Sequence, residues 1–316
     1  MDAPEPPDAT ERPSDRDIED LLDRVPSLAG RPRSVERLPG GLTNTNVKVT
    51  LPTGCVVARI SSKDSALLSI DREAEHRNSL AAAASGAAPD VVDYAPEHGV
   101  LVVRYIVGRT YTPADLLDED NLERSVAAVR LLHSGPRFVN EFDMFRVQRD
   151  YLEIVRSHGF RLPAGYLDYM PEVERIDAAL RDRQAETVPC NNDLLAGNFI
   201  DDGNRVWLID YEYSGNNDAC FELGNIWSEA DLPLGHLGEL VRLYYGRELP
   251  SMVARARLLG LMAKYGWTLW AAIQSAKSEL DFDFWAWGME KYERAVAEFS
   301  GPDFDRLLTE AQKPDR

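Results

Sequence analysis

Residues 190–212, CNNDLLAGNFIDDGNRVWLIDYE, decide how the chain is read. Phe199 and Ile200 lead into Asp201-Asp202-Gly203-Asn204, residue types that tolerate left-handed backbone and hydrogen-bond their own turn, and Val206 to Ile209 return as an apolar strand. The pattern predicts a β-hairpin whose second strand carries Asp210 back beside Asn198. Two oxygen-bearing side chains then converge at one end of the hairpin, with Asp193 on the preceding loop. Such a set suits Mg²⁺, which takes a few carboxylate or amide oxygens and completes its shell with water and phosphate.

Upstream, residues 1–16 carry four of the nineteen prolines among charged residues and read as a disordered tail. Ile18, Leu21, Leu22 and Val25 then mark a short helix behind a Ser14 cap. The stretch SVERLPGGLTNTNVKVTLPTGCVVARI predicts two strands joined at Leu51 to Gly54 and preceded by a Gly-Gly loop. An alanine-rich helix from about Ile70 to Ser85 stops at Gly86, and strands around DVVDY and VLVVRYI complete a small sheet. Beyond Gly108 the period turns helical: Leu122, Val126, Val129 and Leu132 lie on one helix, ended by Ser134-Gly135-Pro136. The expectation is an α+β chain of two lobes: a small β-rich N-lobe (17–107) and a larger, mostly α-helical C-lobe (108–316). Ligands commonly bind between such lobes.

Composition narrows the partners. A chain of 316 residues with 44% apolar residues is long enough for two cores. A formal charge of -18 repels phosphate backbones and anionic membranes and attracts a cationic small molecule, although acidity also aids solubility. No apolar run is long enough for a membrane span and the N-terminus does not read as a signal peptide, so a cytoplasmic protein is expected. Cys55, Cys190 and Cys220 are widely spaced and without a CxxC pair, which favours buried thiols over disulfides or a cysteine zinc site. Nothing in the pattern specifies an oligomer.

Asp193, Asn198 and Asp210 have the Asp-x-x-x-x-Asn and hairpin-Asp spacing of a protein-kinase catalytic loop and its metal-binding aspartate. There the first acid accepts the proton of the attacking hydroxyl, and the other two residues hold the metals. Asp-x-x-x-x-Asn alone is a weak pattern, so order along the chain matters. Gly40, Gly41, Leu42, Thr43 and Asn44 supply a loop whose backbone N–H groups can approach phosphate. Arg59 in VVARI follows as a strand cation, and Glu75 on the next helix can fix its direction, with Glu73 a close competitor.

LPGGLTNTN, CNNDLLAGNFI, LIDYEYSGNNDACFELGN and YGWTLWAAIQSAKSELDFDFW together resemble the choline/ethanolamine kinase family, its bacterial branch especially, within the aminoglycoside-phosphotransferase superfamily. The resemblance covers roughly residues 35–295. It implies a protein kinase-like two-lobe fold and ATP- and Mg²⁺-dependent phosphorylation of a small amino alcohol. By matching position it makes Asp193 the general base, Asn198 and Asp210 the Mg²⁺ ligands and Arg59 the phosphate-contacting cation. Glu212 then shapes the metal and substrate site. Val102 to Ile106 becomes the interlobe hinge, with Val103 and Tyr105 offering backbone groups to adenine. Two positions depart from the family pattern: Asn191 stands where a His is usual, which bears on the rigidity of the loop, and Glu222 stands where Asp is common.

Four of the six tryptophans lie between 267 and 287. On a helix over about 252–278, Leu258, Met262, Leu269 and Ile273 share one stripe, whereas Trp267, Trp270 and Gln274 fall about 100° away. A quaternary ammonium donates no hydrogen bonds, so its recognition rests on aromatic faces at about 0.5–2 kcal/mol each and on nearby carboxylates. Trp267 and Trp270 are the first walls of such a cage, with Tyr213, Trp285 and Trp287 as further ones; the alternative is that these aromatics only pack the C-lobe. Asp281-Phe282-Asp283-Phe284 reads equally as a capped helix start. Choline is the leading acceptor, followed by ethanolamine and then an aminoglycoside, and a catalytically silent nucleotide- or amine-binding module is the reading from another class.

Overall fold

The computed structural model describes residues 13–61, 67–183 and 185–314. Helix α1 (Asp15–Leu22) begins where the Ser14 hydroxyl accepts the Asp17 N–H and the Asp17 carboxylate accepts the Ser14 N–H, a reciprocal cap. This corrects the expected tail, since helix already holds residues 15 and 16; residues 1–12 of that tail lie outside the described residues.

Five antiparallel strands follow: β1 (Ser34–Arg37), β2 (Asn44–Leu51), β3 (Gly54–Ser61), β4 (Val91–Ala95) and β5 (Val100–Arg104). They are arranged in the order β1-β2-β3-β5-β4. Val47, Val49, Val56, Ala58, Val100 and Val102 alternate onto one face, where Ile18, Leu22, Val25 and Leu28 cover them. Because successive strand residues alternate, Arg59 leaves the opposite face, toward α2 (Arg72–Ser85). That helix starts on the Asp71 side chain and stops at Gly86, whose φ of 85° suits glycine.

The remainder is mostly helical. Short strands β6 (Arg109–Thr110), β7 (Thr187–Cys190), β8 (Phe199–Asp201), β9 (Val206–Leu208) and β10 (Gly215–Asp218) form two small sheets, β6-β8-β9 and β7-β10. Around them pack α3 (Glu119–His133), α4 (Met144–Ser157), α5 (Met170–Arg181), α6 (Ala219–Glu229), α7 (Leu234–Tyr245), α8 (Pro250–Lys277), α9 (Phe284–Phe299) and α10 (Phe304–Ala311). Helix α8 is the central post and is buried on every side from Leu258 to Gln274. It crosses α6 at two glycines: a Cβ on Gly260 would lie 2.6 Å from the Gly224 carbonyl oxygen. Asp283 caps α9 by accepting the Ala286 N–H, as the Asp-Phe alternation allowed. Cys190 and Cys220 are buried free thiols, whereas Cys55 on β3 is partly exposed. No helix among the described residues is long and apolar enough to cross a membrane.

Candidate active site

The β8–β9 hairpin forms as its turn residues require, with the Asp202 carboxylate accepting the Asn204 and Arg205 N–H groups. Its return brings the Ile209 N–H to the Asn198 carbonyl at 3.1 Å, so Asp210 stands beside Asn198. Asp210 holds a positive φ of 66°, a conformation open to Asp more than to most residues. The Asn198 amide nitrogen donates to the Asp193 carbonyl at 2.7 Å, which turns its amide oxygen outward. Asp193, Asn198, Asp210 and Glu212 line one cleft. Burial, followed by the nearby charges of Asp210, Glu229 and Glu212, holds the Asp193 carboxyl well above the usual range. Crowded hard oxygens with one unspent amide oxygen fit a divalent cation, and Asn198 and Asp210 are the residues that would hold Mg²⁺.

Asn191 is fully buried, and its amide donates to the Ile209 and Asp210 carbonyls at 3.1 and 2.8 Å while its oxygen accepts the Asp193 N–H. The asparagine thus fastens the loop to the hairpin where the family pattern has a histidine. Glu222 fixes the same loop from behind, taking the Asn191 and Asn192 N–H groups at 2.8 Å each. His133 lies 3.7 Å from Glu222 and 3.5 Å from the Cys190 thiol. Both Glu222 oxygens already serve the backbone and His133 Nδ1 meets the Tyr244 hydroxyl, so this cluster reads as a structural knot.

Arg59 reaches Glu75 at 3.2 Å and Asp210 at 2.6 Å. Glu75 is buried and Glu73 pairs with Arg77 on the surface, which decides between the two acids. The loop at 40–44 turns on Gly40 and Gly41, with φ of 86° and 78°, and a Cβ on Gly41 would lie 2.6 Å from the Asn44 carbonyl oxygen. Gly41, Leu42 and Thr43 line the cleft. Thr43 and Asn44 donate to Glu212 at 2.6 and 2.8 Å, so Glu212 lines the cleft while tied to the loop. Arg72, missed in the sequence, joins Glu75, Glu212 and Asn44 at 2.7, 3.3 and 3.0 Å. Its place three residues before Glu75 was the available signal.

The aromatic side is built by Tyr213, Trp267, Trp270 and Trp287. The Trp270 indole donates to the Tyr213 hydroxyl at 2.8 Å, and Tyr213 meets Trp267 edge-on at 5.1 Å between centroids. Four expected residues lie outside the cleft lining. Trp285 lies under the Arg161 guanidinium at 3.7 Å, outside the cleft lining, because two residues along a helix turn its side chain about 200° from Trp287. Gln274 donates to the Leu42 carbonyl at 3.2 Å, so it ties down the loop instead of lining the cleft. At the hinge, Val103 is flanked by Val57 and Val91 inside the sheet, and the Tyr105 N–H is spent on the Cys55 carbonyl at 3.1 Å because the β3–β5 ladder runs one residue past the strand. Glu229, the last residue of α6, lines the cleft and was missed; an acid at a helix end carries no local signal of that role.

Comparison with known proteins agrees with this geometry. The profile of the phosphotransferase enzyme family (APH) matches residues 34–259. The structure is similar to a choline/ethanolamine kinase family protein from Mesorhizobium loti, with 34% identity, a TM-score of 0.82, and coverage of 94% of this chain and 98% of that one. Choline kinase LicA from Streptococcus pneumoniae shares the fold at 23% identity, with a TM-score of 0.72 over 87% of this chain and 93% of that one. Among sequences, ethanolamine kinase 2 of Mus musculus is 28% identical over 262 residues, covering 73% of this chain; the match spans 66% of that relative's length. The protein kinase-like fold carried by the residue 190–212 hairpin, the family profile and the Mesorhizobium structure converge: the chain belongs to the phosphotransferase enzyme family, in its choline/ethanolamine kinase branch.

Proposed function

We propose that the protein is an ATP- and Mg²⁺-dependent kinase that phosphorylates the hydroxyl of a small amino alcohol, with choline as the leading acceptor. The observation that carries this reading is that Asp193 lines the same cleft as four aromatic rings. An ammonium held against Tyr213, Trp267 and Trp270 leaves its hydroxyl arm free to extend toward the acidic end. There an Asp193 carboxylate oxygen accepts the hydroxyl proton as the alkoxide oxygen attacks the γ-phosphorus in line and ADP leaves. Asn198 and Asp210 hold Mg²⁺, which supplies charge neutralisation for the phosphates. Arg59, directed by Glu75, and the 41–44 loop contribute cationic and N–H contacts to the phosphates. ATP as donor makes the cytoplasm the proposed compartment.

Ethanolamine is a second reading, favoured by Glu229: its Oε1 is buried without a hydrogen-bond partner, and a primary ammonium has N–H groups to give. Purified protein with Mg²⁺ and ATP is to be assayed for ADP release with choline, ethanolamine and kanamycin. Turnover dependent on choline or ethanolamine supports the proposal. Turnover on kanamycin alone redirects it to aminoglycosides, and nucleotide binding without turnover on any amine leaves the silent module.

A further inference from the structure

Glu229 does not meet the cleft as a bare acid. Lys291 on α9 places its ammonium 2.5 Å from Glu229 Oε2, and both side chains are almost wholly buried, at 7% and 3% exposure. The same ammonium lies 4.1 Å from the centroid of Trp287, one helical turn earlier on α9. An internal cation therefore already engages an acid and a ring that line the amine side of the cleft. Its charge reaches the reacting end as well, acting on Asp193 against the pull of the acids.

We propose that Lys291 is a resident ammonium that sets which headgroups the cleft accepts. This rests on the amino alcohol reading above. A primary ammonium draws its specific binding energy from short, charge-assisted hydrogen bonds to carboxylate. Lys291 has taken that position on Glu229, so an incoming primary ammonium meets a carboxylate whose charge is already paired and whose Oε1 alone is unspent. A quaternary ammonium cannot donate and loses nothing by this arrangement. It depends on aromatic faces, and Tyr213, Trp267 and Trp270 remain. Selectivity for quaternary heads then comes partly from an element that works against the primary amine. Lys291 is a positioning residue in this scheme: it touches Glu229 and Trp287.

The test measures kcat/KM for choline, ethanolamine and N,N-dimethylethanolamine on wild type, Lys291→Met and Lys291→Arg. Amine binding is followed in parallel by quenching of tryptophan fluorescence. Lys291→Met is expected to raise the ethanolamine-to-choline ratio at least about tenfold, because ethanolamine can put its own ammonium where the lysine stood. Lys291→Arg, which keeps a cation, is expected to hold the ratio near the wild-type value. A ratio unchanged in folded Lys291→Met overturns the inference. Baring Glu229 threatens folding, so the double variant Lys291→Met with Glu229→Gln removes both charges; it is expected to keep the choline preference, and a switch to ethanolamine there overturns the inference too. The same ratio shift in binding but no turnover of any amine supports the role of Lys291 and overturns phosphoryl transfer. Absence of both binding and turnover overturns both.

Discussion

Asp193 owes its place to bonds made by its neighbours. Its N–H is held by Asn191, its carbonyl by Asn198, and the loop before it by Glu222, so replacing its side chain removes none of these contacts. Asp193→Asn is therefore expected to lower kcat about a thousandfold while the thermal midpoint stays near wild type, since general-base assistance is worth roughly 10²–10⁴. Retained full turnover in a coupled ADP assay would take the base away from Asp193. Asn191 is the opposite case. It is not itself part of the cleft lining, yet Asn191→Ala strips two partly buried carbonyls and one N–H of their partners. A loss of about 2–4 kcal/mol in urea unfolding is expected, since each orphaned buried group costs roughly 1–3 kcal/mol and local relaxation recovers part. A change below 0.5 kcal/mol would mean that the loop is anchored elsewhere.

At the scale of elements, α8 carries the cost of being buried all round. Lys264, in its middle, has 3% side-chain exposure and meets Glu298, at 3.9 Å, and the face of Trp227. Burial pushes its ammonium down from 10.5 to about 8, with Glu298 offsetting part. The sign follows from proton counting. Between about pH 8 and 10.5 the unfolded chain holds a proton that the folded chain has lost, so stability rises with pH across that window and is lowest, by about 3 kcal/mol, below it. Lys264→Met, similar in length and uncharged, is expected to be more stable than wild type at pH 7, with the gap closing toward pH 10.5. A variant less stable than wild type at pH 7 in urea titrations would show that the ammonium is held by more than Glu298. Elements also mark where the sequence was legible. The β8–β9 hairpin could be read because its turn chemistry is local, and α2 because Asp71 and Gly86 bracket it. Glu229 and Lys291 could not, because each gains its role from a partner on another element, whereas Arg72 was signalled by Glu75 three residues on and overlooked; Trp285 was misjudged because packing, not spacing, sets how α9 is rotated.

At the scale of the whole molecule, the acidic balance of the sequence becomes a placed charge. Asp193, Asp210, Glu212 and Glu229 share the cleft, within a chain of formal charge -18. Against them stand Arg59 and Arg72 on the loop side, and both are engaged with acids, Arg59 with Glu75 and Asp210 and Arg72 with Glu75 and Glu212. A triphosphate entering alone would meet carboxylates whose countercharges are spent, so nucleotide binding should depend strongly on the divalent cation. In thermal unfolding, ATP with Mg²⁺ at a hundred times its Kd is expected to stabilise the fold by about 2.7 kcal/mol, which for a chain of this length raises the midpoint by several degrees. ATP with EDTA is expected to give under a quarter of that shift. Asp210→Asn removes the charge of a proposed ligand oxygen and leaves Arg59 paired with Glu75 alone, so its shift with Mg²⁺ should fall while its shift with EDTA rises above wild type. Equal shifts for wild type with and without Mg²⁺ would place the cation outside the Asn198–Asp210 pair. The divergence of the two Asp210→Asn responses is the stronger test, because simple loss of fold lowers both.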